Sequence, residues 1–287
     1  MKVGILHPGE MGVSIAATIK NSGHEVYWVS AGRSASTQAR AEKVGLRDAH
    51  SLQTLCDTCA WIVSVCPPEA AEDLARQVHA CGFRGAYLDA NAISPQKAVR
   101  INDLMQEAGA RFVDGSIIGG PAWTPHSTWL YLAGPDASEA VTCFAAGPLE
   151  TSIVSDTVGQ ASALKMCFAA YSKGTTALLS AILATAEALE VRGALEQQWS
   201  RNGSEFAEET TQRVRQVTAK AWRFAGEMDE IAATLREAGM PGEFHQAAAE
   251  IYRRMAGFKD ADPTPALDAV LDSLLRGQGE QAAPPQP

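Results

Sequence analysis

The sequence has 287 residues, enough for two domains and a sizeable core. Its hydrophobic share of 46% and charged share of 20% are those of an ordinary globular protein and exclude a disordered or fibrous chain. A net charge of −9 with no run of basic residues argues against nucleic acid and anionic membrane as partners.

No apolar run reaches membrane-spanning length without a polar interruption. The opening MKVGILHPGE enters a strand pattern directly, with no signal-peptide cleavage pattern, so a cytoplasmic protein is expected. Six cysteines include one C-x-x-C, Cys56 and Cys59, without the second pair or nearby histidines that a zinc site needs. No metal is expected there, and the motif fits a short helix before a buried strand.

In chain order, residues 2–7 read as a buried strand. A helix pattern over Met11–Ser22 follows, with Gly23 as its C-cap. Further strands are predicted at 25–30, 61–66, 86–91 and 111–118, with helices at 34–43, 69–80 and 95–108 between them. This alternation predicts a Rossmann-type, doubly wound, mostly parallel α/β sheet. Strands at 128–134 and 152–156, with a helix at 136–145 between them, extend it. Beyond Gly159 strand signals stop, and helices are predicted near 160–190, 204–216, 218–238, 242–256 and 264–276. The expected organisation is a dinucleotide-binding domain over 1–158, an all-helical substrate and dimerisation domain over 159–276, and a disordered proline-rich tail over 277–287.

Between the first strand and helix stands His7-Pro8-Gly9-Glu10-Met11-Gly12, where the dinucleotide fingerprint reads G-x-G-x-x-G. Gly9 and Gly12 are its second and third glycines; His7 replaces the first. Gly9 would let the backbone approach a pyrophosphate, and Gly12 would let helix and strand pack closely. Pro8, Gly9, Glu10, Met11 and Gly12 are therefore cofactor candidates. The second strand ends in Ser30-Ala31-Gly32-Arg33-Ser34, without the carboxylate that holds the ribose of NAD. Arg33 would pair with a 2′-phosphate and Ser30 or Ser34 would donate to it, so NADP is preferred over NAD.

The stretch from Gly159 to Leu189 is rich in Ala, Leu, Ser and Thr, lacks proline, and has apolar residues on nearly all sides. It carries two cations, Lys165 and Lys173. A buried ammonium must be paired or lose its proton, unless its stem carries it to the surface.

Together these residues resemble the β-hydroxyacid dehydrogenase family, relatives of 6-phosphogluconate dehydrogenase. The family's G-x-G-x-M-G is similar to His7–Gly12, and its hydrophobic run ending in proline to Val63-Ser64-Val65-Cys66-Pro67-Pro68. Its D-x-[ST]-T-x-x-P is similar to Asp89–Pro95, and its substrate loop D-x-P-V-S-G-G to Asp114–Gly120. Its G-x-G-x-x-x-K-x-x-N-N resembles the segment from Gly159 to Lys165. The loop serine is Ile118 here, and the two asparagines are Phe168 and Ala169. The segment from Ala221 to Pro241 resembles a branch whose C-terminal domain has no settled function.

The resemblance implies hydride transfer between NADP and a small hydroxy acid or oxo acid, with Lys165 as general acid/base. It implies cofactor contacts from Cys66, Pro67 and Asn91, and substrate contacts from Ser94, Ile118, Gly119 and Gly120. His245, on a helix from the second domain, joins the substrate candidates. So do Ser172 and Lys173, about two turns past Lys165, as replacements for the missing amides; the alternative for Lys173 is an ion pair with a carboxylate. The substrate is expected to be a carboxylate and the assembly a homodimer. An imine reductase of the same fold and a non-catalytic NADP-binding sensor are the competing readings.

Overall fold

The computed structural model describes residues 1–276; the tail expected to be disordered lies outside the described residues. Strand β1 (Lys2–Leu6) leads into α1 (Glu10–Asn21), β2 (Glu25–Trp28), α2 (Ala35–Val44) and the two-residue β3 (Arg47–Asp48). Next come α3 (Leu52–Thr58), β4 (Trp61–Ser64), α4 (Ala71–Ala80), β5 (Ala86–Asp89) and α5 (Pro95–Glu107). The sheet is completed by β6 (Arg111–Gly119), β7 (Thr128–Ala133) and, after α6 (Ala137–Val141), β8 (Leu149–Ser155). The remaining elements are helices α7 (Gln160–Ala188), α8 (Arg192–Trp199), α9 (Phe206–Val217), α10 (Ala221–Glu237), α11 (Glu243–Arg254) and α12 (Leu267–Arg276).

The eight strands form one sheet in the order β3-β2-β1-β4-β5-β6-β7-β8. Only β6 and β7 pair antiparallel; every other neighbour pair is parallel. Successive side chains of a strand face opposite ways, so each strand feeds two cores. Val63 and Leu88 pack with Ile15 and Ile19 of α1 on one face. Their neighbours Ile62 and Tyr87 pack with Val78 of α4 and Ile101 of α5 on the other. The strand order reverses at β1, and the crevice beyond the ends of β1 and β4 is where this topology binds ligands. The last β5–β6 pair is Asp89 with Asp114, yet β6 continues to Gly119. With β7 it forms a hairpin that overhangs the carboxyl edge of the parallel strands.

The described chain divides into two compact units, Met1–Cys167 and a second that begins at Phe168, so the division falls inside α7. In the second unit α10 and α11 pack together, burying Met228, Ile231 and Ala232 of one and Ala248, Ala249 and Tyr252 of the other. Helix α8 has no counterpart among the expected elements: none of its residues is buried, so it has no apolar stripe to read. By length and composition alone α7 is able to cross a membrane. A buried core helix passes the same test, and both of its lysines find partners inside the protein.

The start of α7 is held by one carboxylate from the sheet. Oδ2 of Asp114 accepts the backbone N–H of Gly159, Ala161 and Ser162 at 2.9, 3.0 and 3.1 Å, and Oδ1 accepts the Ser162 hydroxyl at 2.6 Å. Three of the N–H groups left over at a helix start are thereby satisfied, and the negative charge sits at the positive end of the dipole. Gly159, at φ +96°, makes the left-handed turn that aims the helix away from the strand. Burial pushes the Asp114 carboxyl above the usual range, and the four hydrogen bonds pull it back. Replacing Asp114 with Ala is expected to cost about 2–3 kcal/mol, read from the midpoint of chemical denaturation. A loss under about 0.5 kcal/mol would show that the helix start is held by other contacts.

Candidate functional site

The loop after β1 keeps the tight turn of the fingerprint although a histidine opens it. His7 adopts φ +66°, a left-handed conformation that histidine tolerates better than most residues. Its carbonyl oxygen accepts the Gly9 N–H at 2.7 Å. A Cβ on Gly12 would run into that same oxygen, so Gly12 is fixed by helix–strand packing. A Cβ on Gly9 would meet no protein atom within 4 Å. The space beside Gly9 is therefore open at the N-terminus of α1, which begins at Glu10 and Met11 immediately after Pro8 and Gly9.

The second strand's end is built differently from the expected pattern. A carboxylate does reach it, from the end of β3: Asp48 Oδ1 accepts the Ser30 N–H at 3.2 Å and Oδ2 accepts the Ser30 hydroxyl at 2.5 Å. Hydrogen bonds from Ser30 and His50 outweigh the opposing effect of burial and hold Asp48 below the usual carboxylate range. The Ser30 hydroxyl is thus already committed. Ser34 caps α2, accepting the Thr37 N–H at 3.3 Å, and its hydroxyl lies within 3.1 Å of those of Ser36 and Thr37. Arg33 precedes this hydroxyl-rich helix start. Among the described residues, the buried Nε of Arg33 and the buried Nδ1 of His7 have no hydrogen-bond partner. The Arg33 charge lowers the His7 imidazole, and the Cys66 thiol acts on Arg33.

At the β4 and β5 ends a buried network fixes the floor. Asn91 accepts the Cys66 N–H at 2.5 Å and donates its amide hydrogens to Ser64 at 3.0 Å and Asp89 at 2.9 Å. Its own N–H is donated to Asp89 at 3.0 Å. Asn91 therefore staples the loop carrying Cys66 and Pro67 to the end of β5. Burial raises the Asp89 carboxyl to about 7 and the Cys66 thiol to about 12. Ser94, buried, stands at the N-cap position of α5.

Lys165 projects from the first turns of α7, and its Nζ donates to the Ile117 carbonyl at 2.7 Å. It thereby meets the overhanging part of β6, next to Ile118, Gly119 and Gly120. Ile118 is half-buried, and the two glycines are exposed at the hairpin. Gly119 has φ +130°, and a Cβ there would strike the Ser127 carbonyl.

The remaining candidates belong to the second unit. Lys173 pairs with Glu227 of α10, and its ammonium lies 4.3 Å from the Phe224 ring centroid. Ser172 donates to the Phe168 carbonyl at 3.1 Å, inside α7. His245 is buried with Nε2 3.3 Å from the Ala170 carbonyl oxygen, in space that only a glycine at 174 leaves open. Sequence reasoning missed Asp48, which lies on a strand of two residues, and the capping role of Asp114.

The residues around the β1 and β4 ends fit a dinucleotide: an open glycine face, a helix N-terminus and, among the described residues, two unpartnered buried nitrogens. Comparison with known proteins agrees. The chain matches the NAD binding domain of 6-phosphogluconate dehydrogenase over residues 2–144 and a domain of unknown function, DUF1932, over residues 186–255. A conserved protein of unknown function, whose structure resembles 3-hydroxyacid dehydrogenases, is similar at 27% identity and TM-score 0.63, covering 89% of this chain and 99% of that one. The fold is shared with 3-hydroxyisobutyrate dehydrogenase of Mycobacterium tuberculosis (16% identity, TM-score 0.68, 95% and 98% covered). It is shared also with a reductive aminase of Aspergillus terreus, solved with NADPH and ethyl levulinate (17%, 0.53, 94% and 98%). The chain belongs to the β-hydroxyacid and 6-phosphogluconate dehydrogenase-like family of nicotinamide-dependent oxidoreductases, in the branch that carries this C-terminal domain.

Proposed function

We propose that the protein is an NADP-dependent dehydrogenase or reductase acting on a small hydroxy acid or its oxo form. The observation that carries this reading is Lys165: its ammonium stands against the Ile117 carbonyl, on the overhang beside the cofactor crevice. The nicotinamide, when bound, supplies or accepts the hydride. Lys165 Nζ gives the proton to the ketone oxygen in reduction and takes it back in oxidation. Exposed backbone at Gly119 and Gly120 suits a substrate carboxylate, and Ile118 lines that place with an apolar surface where relatives carry serine. Arg33 with the hydroxyls of Ser34 and Ser36 supports NADP over NAD at the α2 start. Lys173, paired with Glu227, and His245, against Ala170, are read as parts of the second unit's own packing.

The imine-reductase reading has in its favour the shared fold of the reductive aminase. NADPH consumption with a panel of oxo acids and of cyclic imines separates the two; turnover of imines alone would replace the hydroxyacid assignment. We further propose a homodimer through α7. Its exposed apolar residues Phe168, Tyr171 and Leu178, with Leu189 just past its end, fall on the a and d positions of one heptad frame.

Three outcomes are expected. Lys165→Met lowers kcat by about 10²–10⁴ with cofactor affinity nearly unchanged; near-normal turnover would assign the proton to another group. Arg33→Ala weakens NADPH binding by about 1.5–3 kcal/mol and NADH binding by less, in fluorescence titrations; equal losses would remove the 2′-phosphate contact. Tyr171→Glu with Leu178→Glu converts a sedimenting dimer to a monomer; a double variant that stays dimeric would place the interface elsewhere.

A further inference from the structure

His7 is the residue at which the dinucleotide loop departs from its fingerprint, and three features of its setting point one way. Its backbone keeps the left-handed turn that a glycine normally supplies, so the substitution leaves the loop in binding shape. Its Nδ1 is buried with no partner among the described residues, at the mouth of the crevice. It feels the charge of Arg33, whose Nε is likewise buried and unpartnered among the described residues. Two unsatisfied buried nitrogens, one on the phosphate-binding loop and one on the β2–α2 loop, make sense as groups that await an anion.

Resting on the reading of this crevice as the cofactor site, we propose that His7 is a proton-linked contact to the dinucleotide. In the free protein its imidazole is neutral and faces the Arg33 charge; when the cofactor's pyrophosphate arrives, the imidazole takes up a proton and donates a charge-assisted hydrogen bond. The charged and titratable groups on the flanking elements are Arg33 on the β2–α2 loop, Glu10 at the start of α1 and Cys66 after β4. Of these, the Arg33 guanidinium acts on the ring, and the Cys66 thiol is neutral at physiological pH. Burial, reinforced by Arg33, lowers the free imidazole to about 4. A doubly anionic pyrophosphate at the same place would offset both causes, by adding an opposite charge and by drawing Arg33 toward phosphate. Family members with glycine at this position have no such group, so cofactor affinity here gains a dependence on pH that the glycine form lacks.

The test is a titration of the wild-type protein with NADPH and with NADH, following the His7 ring by NMR and the dissociation constant from pH 5 to 8. The His7 resonance is identified by its loss in His7→Asn, which tolerates the same left-handed backbone. NADH carries no 2′-phosphate, whose own ionisation near pH 6 would otherwise contribute. The expected result is a His7 pKa that rises by at least about 2 units on binding, with NADH affinity strengthening up to about tenfold for each unit of falling pH. His7→Asn and His7→Gly should bind NADH with a flat pH profile. A His7 that remains neutral in a complex that does form overturns the inference and leaves the cofactor assignment standing; absence of binding by either nucleotide overturns both.

Discussion

The position of Lys165 depends on a carboxylate forty-five residues before Gly159, at the head of the helix that carries it. Asp114 accepts three backbone N–H groups and one hydroxyl at the beginning of α7. A helix start anchored this way has little freedom to rotate or slide, because each of the four bonds fixes a different direction. Lys165 is one turn further on, and its reach to the Ile117 carbonyl follows from that anchor. The same β6 strand supplies both the anchor and the wall, so strand and helix form one rigid frame.

The cofactor half shows a complementary economy. Gly12 is dictated by a backbone oxygen and Gly9 by an absence of protein, two different reasons for one residue type. Asn91 spends its amide on Cys66, Ser64 and Asp89, so its effect on a ligand is exerted through the loop it pins. Asp89, buried beneath it, is raised to about 7 by desolvation and accepts from Asn91 on both oxygens.

Elements with a strong period were legible in the sequence: the five parallel strands with alternating helices, the antiparallel β7 and the long α7 all lie within a few residues of their expected bounds. Helix α8 was not, because its apolar contact is limited to half-buried Leu195 and Trp199 and so shows no sustained period. At the site, the glycine turn and Lys165 were legible because each rests on a local pattern. Asp48 was not: β3 is two residues long, and its contact with Ser30 depends on sheet pairing. Asp114 was visible as part of a motif, but its capping role joins strand and helix across a long loop. The Lys173–Glu227 pair spans 54 residues, and no spacing rule predicts it.

The single antiparallel step in the sheet has an evolutionary corollary. Because β7 runs back along β6, the chain turns over between Gly120 and Ser127, and this tip is tied to α1: the Ala122 N–H donates to the Ser14 hydroxyl at 2.9 Å, and Ala122 is buried in the core beside that helix. Exposed tip residues such as Trp123 have room to change, whereas Ala122 is held against the nucleotide half. Such a layout confines divergence at this loop to its exposed positions.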